Sequence, residues 1–256
     1  MKLFDTHVHL NQIEDIDGAL KRAKEAGVDK ILIAGLNLES NRRIIELYNA
    51  HKEYNLYPAL GIHPFLPEEK TLEEVCALIK SHRDDIAAVG EIGLDYWYKE
   101  ARKKGEGRDL QRELFTAQLE LAGELDKPVI IHSRGAWSDC LSLVREYQLK
   151  QVLFHWYTGP VDILKEILNE GFYISLSPSL EYSKDAQAAA KEAPLERILL
   201  ETDSPVSYKS PGGRYVSEPK DAVRVLKKLS ELKEVDEEKV AGIIYKASCT
   251  FFNIVE

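Results

Sequence analysis

The stretch Leu3-Phe4-Asp5-Thr6-His7-Val8-His9-Leu10 is a short apolar strand that runs directly into two histidines. Side chains two residues apart in an extended chain point the same way, so His7 and His9 are expected on one side of the strand end. Two neutral imidazoles placed in this way can share one metal ion. Taken alone, the pair fits two surface histidines equally well, and the decision depends on what the rest of the chain supplies.

Further β-rich runs follow this strand and alternate with amphipathic helical patterns. The predicted strands are Lys2–Thr6, Lys30–Ala34, Leu56–Gly61, Ala87–Gly90, Val129–His132, Val152–His155, Tyr173–Leu176 and Ile198–Glu201. The predicted helices are Ile16–Ala26, Ser40–His51, Thr71–Ser81, Leu110–Leu125, Trp137–Tyr147 and Val161–Glu170. This alternation in 256 residues is typical of a (β/α)8 TIM barrel, although a doubly wound open sheet would produce the same pattern. We expect the α/β class and a TIM barrel.

The pattern continues without a break along the whole chain. No repeat of fixed period and no Ser- or Gly-rich linker divides it, so residues 1–256 are predicted to form a single domain. Two longer loops, Tyr96–Arg108 and Ser204–Pro219, have the length and composition of binding loops, or of plain surface insertions.

Composition restricts the classes of function. The net charge of −9 argues against a protein that coats nucleic acid through a basic face, but not against a metalloenzyme acting on phosphates, because bound cations reverse the local sign. The first residues lack a basic region followed by an apolar run, and no apolar run approaches the roughly 20 residues that cross a bilayer. The three cysteines are widely spaced, without CxxC, as in a reducing compartment. We expect a cytoplasmic protein with no membrane partner.

Histidines and acidic residues recur where the predicted strands end. These ends are His7 and His9, Gly61-Ile62-His63-Pro64, Gly90-Glu91-Ile92-Gly93-Leu94-Asp95, His132-Ser133-Arg134, His155-Trp156-Tyr157 and Glu201-Thr202-Asp203-Ser204-Pro205. In parallel α/β folds the carboxyl ends of the strands share one face, where ligands bind. His51 and His82, by contrast, fall in or near helices and are expected to be surface residues.

Six of these side chains have the donor atoms of a metal site. The predicted ligands are His7, His9, Glu91, His132, His155 and Asp203. One tetrahedral ion needs fewer, so two divalent ions bridged by a carboxylate are expected (Zn, Mn, Mg, Ni or Fe), and Glu91 lies between the histidine pairs in barrel order. Individually, His132 or His155 fits a hydrogen-bonded core histidine, and Asp203 fits a turn before Pro205.

The chain resembles the TatD-type metal-dependent deoxyribonucleases of the amidohydrolase superfamily over nearly its full length. The matching motifs are Asp5-Thr6-His7-Val8-His9-Leu10, Gly61-Ile62-His63-Pro64, Gly90-Glu91-Ile92-Gly93-Leu94-Asp95, Pro128-Val129-Ile130-Ile131-His132-Ser133-Arg134, Leu200-Glu201-Thr202-Asp203-Ser204-Pro205 and the run from Gln111 to Ala122. The resemblance implies a TIM barrel with a divalent-metal centre and exonuclease-type hydrolysis of DNA. It also implies that one ion is held by His7, His9 and Asp203 and the other by His132 and His155, with Glu91 between them.

Two segments depart from the family pattern. Where many members have His-Cys-Phe, this chain has His155-Trp156-Tyr157, which keeps the ligand but makes the pocket wall bulkier. The usual segment Arg-Gly-Lys-Arg-Asn-Glu-Pro is replaced by residues 212–219, which keep Arg214 but lose two cations and an Asn. Since phosphate contacts supply most non-specific affinity for nucleic acid, this loss counts against a long nucleic-acid substrate.

The strand-end residues also predict the catalytic roles. Asp203, with Glu91 as the second catalytic carboxylate, is expected to orient a water molecule and accept its proton. His63 and Arg134 are expected to face the non-bridging oxygens of a phosphate, although His63 also fits a packed histidine and Arg134 a surface ion pair.

The loops supply candidate contacts to the rest of a substrate. Four loop aromatics could stack on an exposed base or simply pack at the rim, namely Tyr96, Trp97, Tyr157 and Tyr208. Arg214 and Lys209 are candidate phosphate contacts.

These residues leave three functions to compare. The first is a deoxyribonuclease whose partner is DNA, through its single-stranded ends. The second is a metal-dependent esterase or amidase such as a D-aminoacyl-tRNA deacylase, because the same superfamily centre hydrolyses esters and amides. The third is a non-catalytic metal-binding scaffold. The phosphate contacts favour the first, and we expect it to act as a monomer.

Overall fold

The computed structural model describes residues 1–65 and 71–256, in which eight parallel strands form a nearly closed barrel. The strands are β1 (Leu3–Val8), β2 (Val28–Ala34), β3 (Asn55–Leu60), β4 (Ala88–Asp95), β5 (Val129–Arg134), β6 (Val152–Phe154), β7 (Tyr173–Leu176) and β8 (Ile198–Leu200). Each pairs with its neighbour in sequence, in the order β1 to β8. The predicted TIM barrel is confirmed.

Helices connect the strands and cover the outside of the barrel. They are α1 (Ile16–Glu25), α2 (Leu38–Ala50), α3 (Leu72–Ser81), α4 (Glu106–Glu124), α5 (Trp137–Glu146), α6 (Val161–Asn169), α7 (Lys184–Glu192), α8 (Ala222–Lys233) and α9 (Glu237–Phe251). An antiparallel hairpin follows β8 and consists of β9 (Ser207–Ser210) and β10 (Gly213–Val216). Within the described ranges, no helix has both the length and the apolar character needed to cross a bilayer.

Glycines account for the two largest differences from the predicted boundaries. Strand β4 continues to Asp95 instead of ending at Gly90, because Gly93 has a φ of +144° and a Cβ there would lie 2.0 Å from the carbonyl oxygen of His132. Helix α4 begins at Glu106, inside the predicted loop, where a Cβ on Gly107 would lie 2.3 Å from the carbonyl oxygen of Glu100. Both glycines allow close approach of two backbones and are not loop breakers.

The barrel interior is filled at the amino ends of the strands. One cluster of buried side chains draws on seven strands and on α9, and comprises Phe4, Leu32, Ala34, Ala59, Ala88, Ile130, Leu153, Leu199, Tyr245, Ala247, Cys249, Phe251 and Phe252. The alternate residues of the same strands pack against the surrounding helices. Because α9 covers the amino end, the polar strand tips lie at the opposite, open end of the barrel.

Backbone and side-chain hydrogen bonds join β1 to the segment after β8. The hydroxyl of Thr6 donates to the carbonyl of Leu200 (2.9 Å), and the amide of Asp203 donates to the carbonyl of His7 (2.9 Å). The buried carboxylate of Asp5 accepts from the amide (2.9 Å) and the hydroxyl (2.6 Å) of Thr202. Burial raises the pKa of Asp5 well above its ordinary value, against the opposing effect of these hydrogen bonds. This seam therefore sets the position of Asp203 relative to His7.

Replacing the hydroxyl at the seam should destabilise the barrel. Thr202→Val keeps the side-chain shape but leaves a buried oxygen of Asp5 without its donor, which costs about 1–3 kcal/mol of unfolding free energy. The measurement is urea unfolding of chelator-treated protein. Thr116→Val, which removes a hydroxyl bonded to the carbonyl of Glu113 on the exposed side of α4, is the control and should change stability by less than about 0.5 kcal/mol. Equal effects of the two changes would contradict a structural role for the seam.

Candidate metal centre

The carboxylate of Glu91 is surrounded by five histidines, four of which are predicted metal ligands. Its Oε2 is 3.1 Å from Nε2 of His7 and 3.5 Å from Nε2 of His9. Its Oε1 is 2.7 Å from both Nδ1 of His132 and Nε2 of His155. The two carboxylate oxygens thus face two different pairs of imidazoles, which come from β1 on one side and from β5 and β6 on the other.

Asp203 completes the β1 side of this cluster. Its Oδ1 lies 3.2 Å from Nε2 of His9 and 3.7 Å from Nε2 of His7. The residue has a φ of +48°, in the left-handed region that Asp tolerates better than most side chains. The structure therefore brings together all six side chains that the sequence marked as ligands.

The electrostatics of the cluster favour ionised carboxylates. Burial by itself raises the pKa of Glu91, but His155, His63 and His7 outweigh it and hold that pKa well below its ordinary value. Burial lowers the pKa of His155, but Glu91 and Glu201 raise it well above the usual range. Protons and metal ions compete for such imidazole nitrogens, so metal binding here is expected to release protons.

Two of the histidines donate a hydrogen bond to an acceptor on the side away from Glu91, and a third has a carboxylate nearby on that side. Nδ1 of His9 donates to the carbonyl of Ala34 at 3.0 Å, and Nε2 of His132 donates to Oδ2 of Asp95 at 2.9 Å. Nδ1 of His155 lies 3.5 Å from Oε1 of Glu201. An acceptor behind the ring fixes the tautomer and leaves the other nitrogen free to donate its lone pair, as metal-binding histidines require.

His63 differs from these histidines in its hydrogen bonding. Its Nδ1 accepts a hydrogen bond from the amide of Phe65 (3.1 Å), so the neutral ring carries its proton on Nε2. Burial lowers the pKa of His63 to about 4, which keeps the ring neutral near pH 7. The Nε2–H group lies 3.2 Å from Oε1 of Glu91 and is thus a hydrogen-bond donor at the edge of the cluster.

The donor atoms present fit divalent metal ions. In the part of the chain that the structure describes, three groups have one potential ligand atom per residue, all within 4.8 Å of one another, namely His7–His155–Glu201, His7–His9–Asp203 and His63–Glu91–His132. Several buried atoms have no hydrogen-bond partner among residues 1–65 and 71–256, including Nδ1 of His155, Oε1 of Glu201 and Oδ1 of Asp203. Imidazole nitrogens with carboxylates are the ligands preferred by first-row divalent ions.

A cavity of about 500 Å³ opens above this cluster. Five aromatic residues are part of its wall, namely Phe65, Trp97, Trp137, Trp156 and Tyr182. Trp97 is the most exposed of them at 59%, and the indole of Trp156 is held by a hydrogen bond from Nε1 to Oγ of Ser179 (2.9 Å). The volume falls within the roughly 300–1,000 Å³ of small-molecule sites.

His63 and Arg134, the predicted phosphate contacts, both line this cavity. Nε and Nη2 of Arg134 lie 2.8 and 2.7 Å from Oδ2 of Asp95, which also accepts from His132. Burial opposes ionisation of Asp95, but the hydrogen bonds from His132 and Arg134 lower its pKa to about 2. Asp95 therefore links the predicted phosphate-binding arginine to a predicted metal ligand.

The structure contradicts the role predicted for Tyr157. The ring is fully buried and its hydroxyl donates to the carbonyl of Pro160 (2.7 Å), so it has no face for a base. Tyr208 is equally buried, with its hydroxyl bonded to the carbonyl of Thr202. Tyr157 packs beside Trp137, and Tyr208 packs beside Trp156, contacts between separate segments that loop composition does not reveal.

Two other predicted substrate contacts lie outside the cavity wall. Tyr96 donates its hydroxyl to Asp139 (2.6 Å), and its ring packs under the guanidinium of Arg108. Arg214 lies on the β9–β10 hairpin and donates to the hydroxyl and carbonyl of Ser207. In this arrangement neither side chain touches the metal-centre cavity.

Several residues that shape the site have no role that is predicted from the sequence. Asp95 and Glu201 lie behind His132 and His155, and their position within the strand-end motifs was the available signal. Trp137 and Tyr182 reach the cavity from the start of α5 and from the turn after β7. No local pattern marks these two residues, because only the barrel geometry brings their elements to the same opening.

Comparisons with known proteins agree with this geometry. A family model described as TatD related DNase matches residues 4–253. An uncharacterized metal-dependent hydrolase of Methanocaldococcus jannaschii is 35% identical over 257 residues, which cover 98% of this chain and 97% of that protein. The human protein named deoxyribonuclease TATDN3 is 33% identical over 215 residues, covering 79% of this chain and 78% of that protein.

A solved structure shows the same architecture. The crystal structure of YjjV from Escherichia coli, described as a TatD homolog, superposes with a TM-score of 0.90 and 27% identity. The match covers 99% of this chain and 98% of the YjjV chain.

Removing the charge behind His132 should weaken metal binding. Asp95→Asn keeps the size of the side chain but weakens the acceptor that orients His132, and such changes typically reduce metal affinity by about 10–100-fold. The measurement is calorimetric titration of chelator-stripped protein with Zn²⁺ or Mn²⁺. Asp139→Asn is the control, because it removes one exposed charge near Tyr96 without touching His132. Equal affinities for the two variants would show that Asp95 does not position the ligand.

Proposed function

The chain belongs to the TatD-related DNase family of metal-dependent hydrolases, and we propose that its substrate is DNA, which it cleaves at phosphodiester bonds near a strand end. The observation that carries this proposal is the position of Glu91 between two pairs of histidines, directly below a cavity that Arg134 and His63 also line. Hydrolysis of a phosphodiester is assisted by a metal centre at the phosphate and by hydrogen-bond donors to the non-bridging oxygens.

Two divalent ions are proposed, chosen from Zn, Mn, Mg, Ni and Fe. His7, His9 and Asp203 would hold one, and His132 and His155 the other, with Glu91 bridging them. The assignment is supported by the different directions of the two Glu91 oxygens, one toward His7 and His9 and the other toward His132 and His155. When bound, such ions act as Lewis acids, stabilise negative charge on phosphate oxygens and can lower the pKa of water from about 15.7 to about 7.

Asp203 is proposed as the group that accepts the proton of the attacking water. Burial raises its pKa, but the hydrogen bond with His9 and the charges of His9 and His7 lower it below the ordinary value, so the carboxylate is ionised at neutral pH. Hydrolysis forms a P–O bond to the water oxygen and breaks the P–O bond to the departing nucleotide. Asp203, which lines the cavity, would receive the water proton.

His63 and Arg134 are proposed to bind the non-bridging phosphate oxygens. Nε2–H of His63 points into the site, and its ring stays neutral, so it donates a hydrogen bond without adding charge. Arg134 uses Nε and Nη2 on Asp95, which leaves Nη1 without a partner among the described residues and the side chain 45% exposed. Asp95 thereby orients a guanidinium that can still donate to a phosphate.

The aromatic wall of the cavity also supports a second candidate, an aminoacyl ester. Trp97, Trp137 and Trp156 surround an opening that an acyl side chain would fill as well as a base does. Arg134 distinguishes the candidates, because a neutral ester has no charge for the guanidinium to neutralise.

Cleavage of DNA should depend on metal and on Asp203. We expect Mn²⁺-dependent release of nucleotides from end-labelled single-stranded DNA, lost on chelation and restored by Mn²⁺. Asp203→Asn should lower kcat by at least about 100-fold, the usual minimum for losing a general base. The exposed Asp162→Asn on α6 is the control. Metal content of each variant is measured in parallel. Near-normal turnover by Asp203→Asn would refute the proposed role.

Arg134→Ala should act selectively on phosphate substrates. Loss of a charged hydrogen bond to phosphate should lower kcat/KM for an activated phosphodiester by about 10–100-fold and leave hydrolysis of a neutral activated ester within about twofold. Arg112→Ala, on the exposed face of α4, should affect neither substrate. An equal loss on both substrates would count against a phosphate contact and favour the aminoacyl ester.

A further inference from the structure

A second groove opens beside the metal-centre cavity and shares Tyr182 with it. We call it the Tyr182 groove; it has a volume of about 620 Å³ and lies between the turn after β7, the β9–β10 hairpin and α8. Lys209 comes from the hairpin, and Arg224, Lys227 and Lys228 come from α8. A chain that leaves the metal centre past Tyr182 would enter this groove directly.

The Tyr182 groove has an excess of positive charge on a chain whose net charge is −9. Two of its cations are neutralised by its two carboxylates. Arg224 makes hydrogen bonds of 3.0 and 2.7 Å to Glu181, and Lys228 lies 3.0 Å from Glu231. These two pairs leave the ammonium groups of Lys209 and Lys227 with no carboxylate partner in residues 1–65 and 71–256, and both side chains are exposed.

Tyr182 provides an aromatic surface where the two cavities meet. It is 40% exposed, and the ammonium of Lys209 lies 5.5 Å from its ring centroid. Its backbone is fixed by the bond from its amide to the carbonyl of Ser179 (3.0 Å), and the preceding Glu181 is held by Arg224. Proteins bind single-stranded nucleic acids with this combination of groups. The bases stack on exposed aromatic rings, and the phosphates contact cations that have no carboxylate partner.

Among the residues that the structure describes, those lining a third groove next to Phe65 lack this charge imbalance. The cations that line it, Lys103 and Lys104, are matched in number by the carboxylates Glu100 and Glu106. Of the grooves that share Phe65 or Tyr182 with the metal-centre cavity, the Tyr182 groove is thus, on its described residues, the better match for a chain of phosphates.

We propose that the Tyr182 groove binds the single-stranded DNA beyond the nucleotide at the metal centre, with a base on Tyr182 and phosphates on Lys209 and Lys227. This inference rests on the proposed function and specifies its substrate as a polynucleotide, in preference to an isolated nucleotide or a small ester.

Binding measured without turnover tests this inference. A fluorescein-labelled oligothymidylate of about twelve nucleotides, with phosphorothioate linkages that resist hydrolysis, is titrated with the Mn²⁺-loaded protein and followed by fluorescence anisotropy. The titration is repeated between about 50 and 200 mM NaCl, because each phosphate neutralised on a single strand contributes about 0.7 to the slope of log K against log salt.

The double variant K209Q/K227Q should lower that slope by about 1.4, corresponding to two lost phosphate contacts. The matched control is K239Q/K246Q, which removes the same charge from exposed positions of α9, the helix that closes the other end of the barrel. Its slope should equal that of the unmodified protein. Tyr182→Leu should weaken binding by about 5–150-fold with the slope unchanged, since stacking involves no counterion release.

The inference is overturned if the two lysine variants give superimposable titrations, or if the unmodified protein does not bind the oligonucleotide at low salt. Failure of the proposed function would look different. In that case salt-dependent binding through Lys209 and Lys227 would persist while unmodified DNA stayed uncleaved with Mn²⁺ present.

Discussion

A buried carboxylate surrounded by imidazoles is the arrangement on which the site depends. Glu91 is 2% exposed and meets nitrogen atoms from β1, β5 and the end of β6 within 3.5 Å. An ionised carboxylate at such depth is costly unless positive charge compensates it. When protonated, the imidazoles provide this compensation in the metal-free cluster, and divalent ions bound to the neutral rings would provide it more strongly. The strands that form the barrel also carry Glu91 and position the histidines around it. The fold and the metal site therefore both depend on compensating this buried charge.

A second layer of acceptors keeps the imidazoles in register. Asp95 lies behind His132, the carbonyl of Ala34 behind His9, and Glu201 behind His155. Ser175 in turn donates to Glu201 at 2.5 Å. Each acceptor leaves a nitrogen lone pair free on the cavity side. His63 is the counterexample, because its Nδ1 accepts a hydrogen bond from the amide of Phe65 and its neutral ring carries the proton on Nε2, on the side of Glu91.

Charge outside the metal cluster follows a similar logic. Within the Tyr182 groove, Arg224 is paired with Glu181 and Lys228 with Glu231. The remaining lysines give the groove a net positive charge. An acidic protein can bind a polyanion in this way because screening limits the reach of charges on distant faces to roughly 10 Å at moderate salt. Net charge therefore describes the solubility of this chain better than its substrate.

The sequence by itself determined the barrel, the family and the set of strand-end donors. Local hydrophobic periodicity predicts the alternation of strands and helices, and the histidines and acidic residues lie at the predicted strand ends. The expected TIM barrel and the TatD resemblance are confirmed. The predicted end of β4 and the predicted start of α4 were wrong because of Gly93 and Gly107. A glycine that is required by close backbone contact looks the same in the sequence as a glycine in a loop. Only the tertiary structure decided that Tyr157 is buried, that Tyr96 and Arg214 contact other side chains, and that Tyr182 and Lys227 meet beside the cavity. The physical reason is that burial and neighbourhood are set by contacts between elements far apart in the chain, which local patterns do not encode.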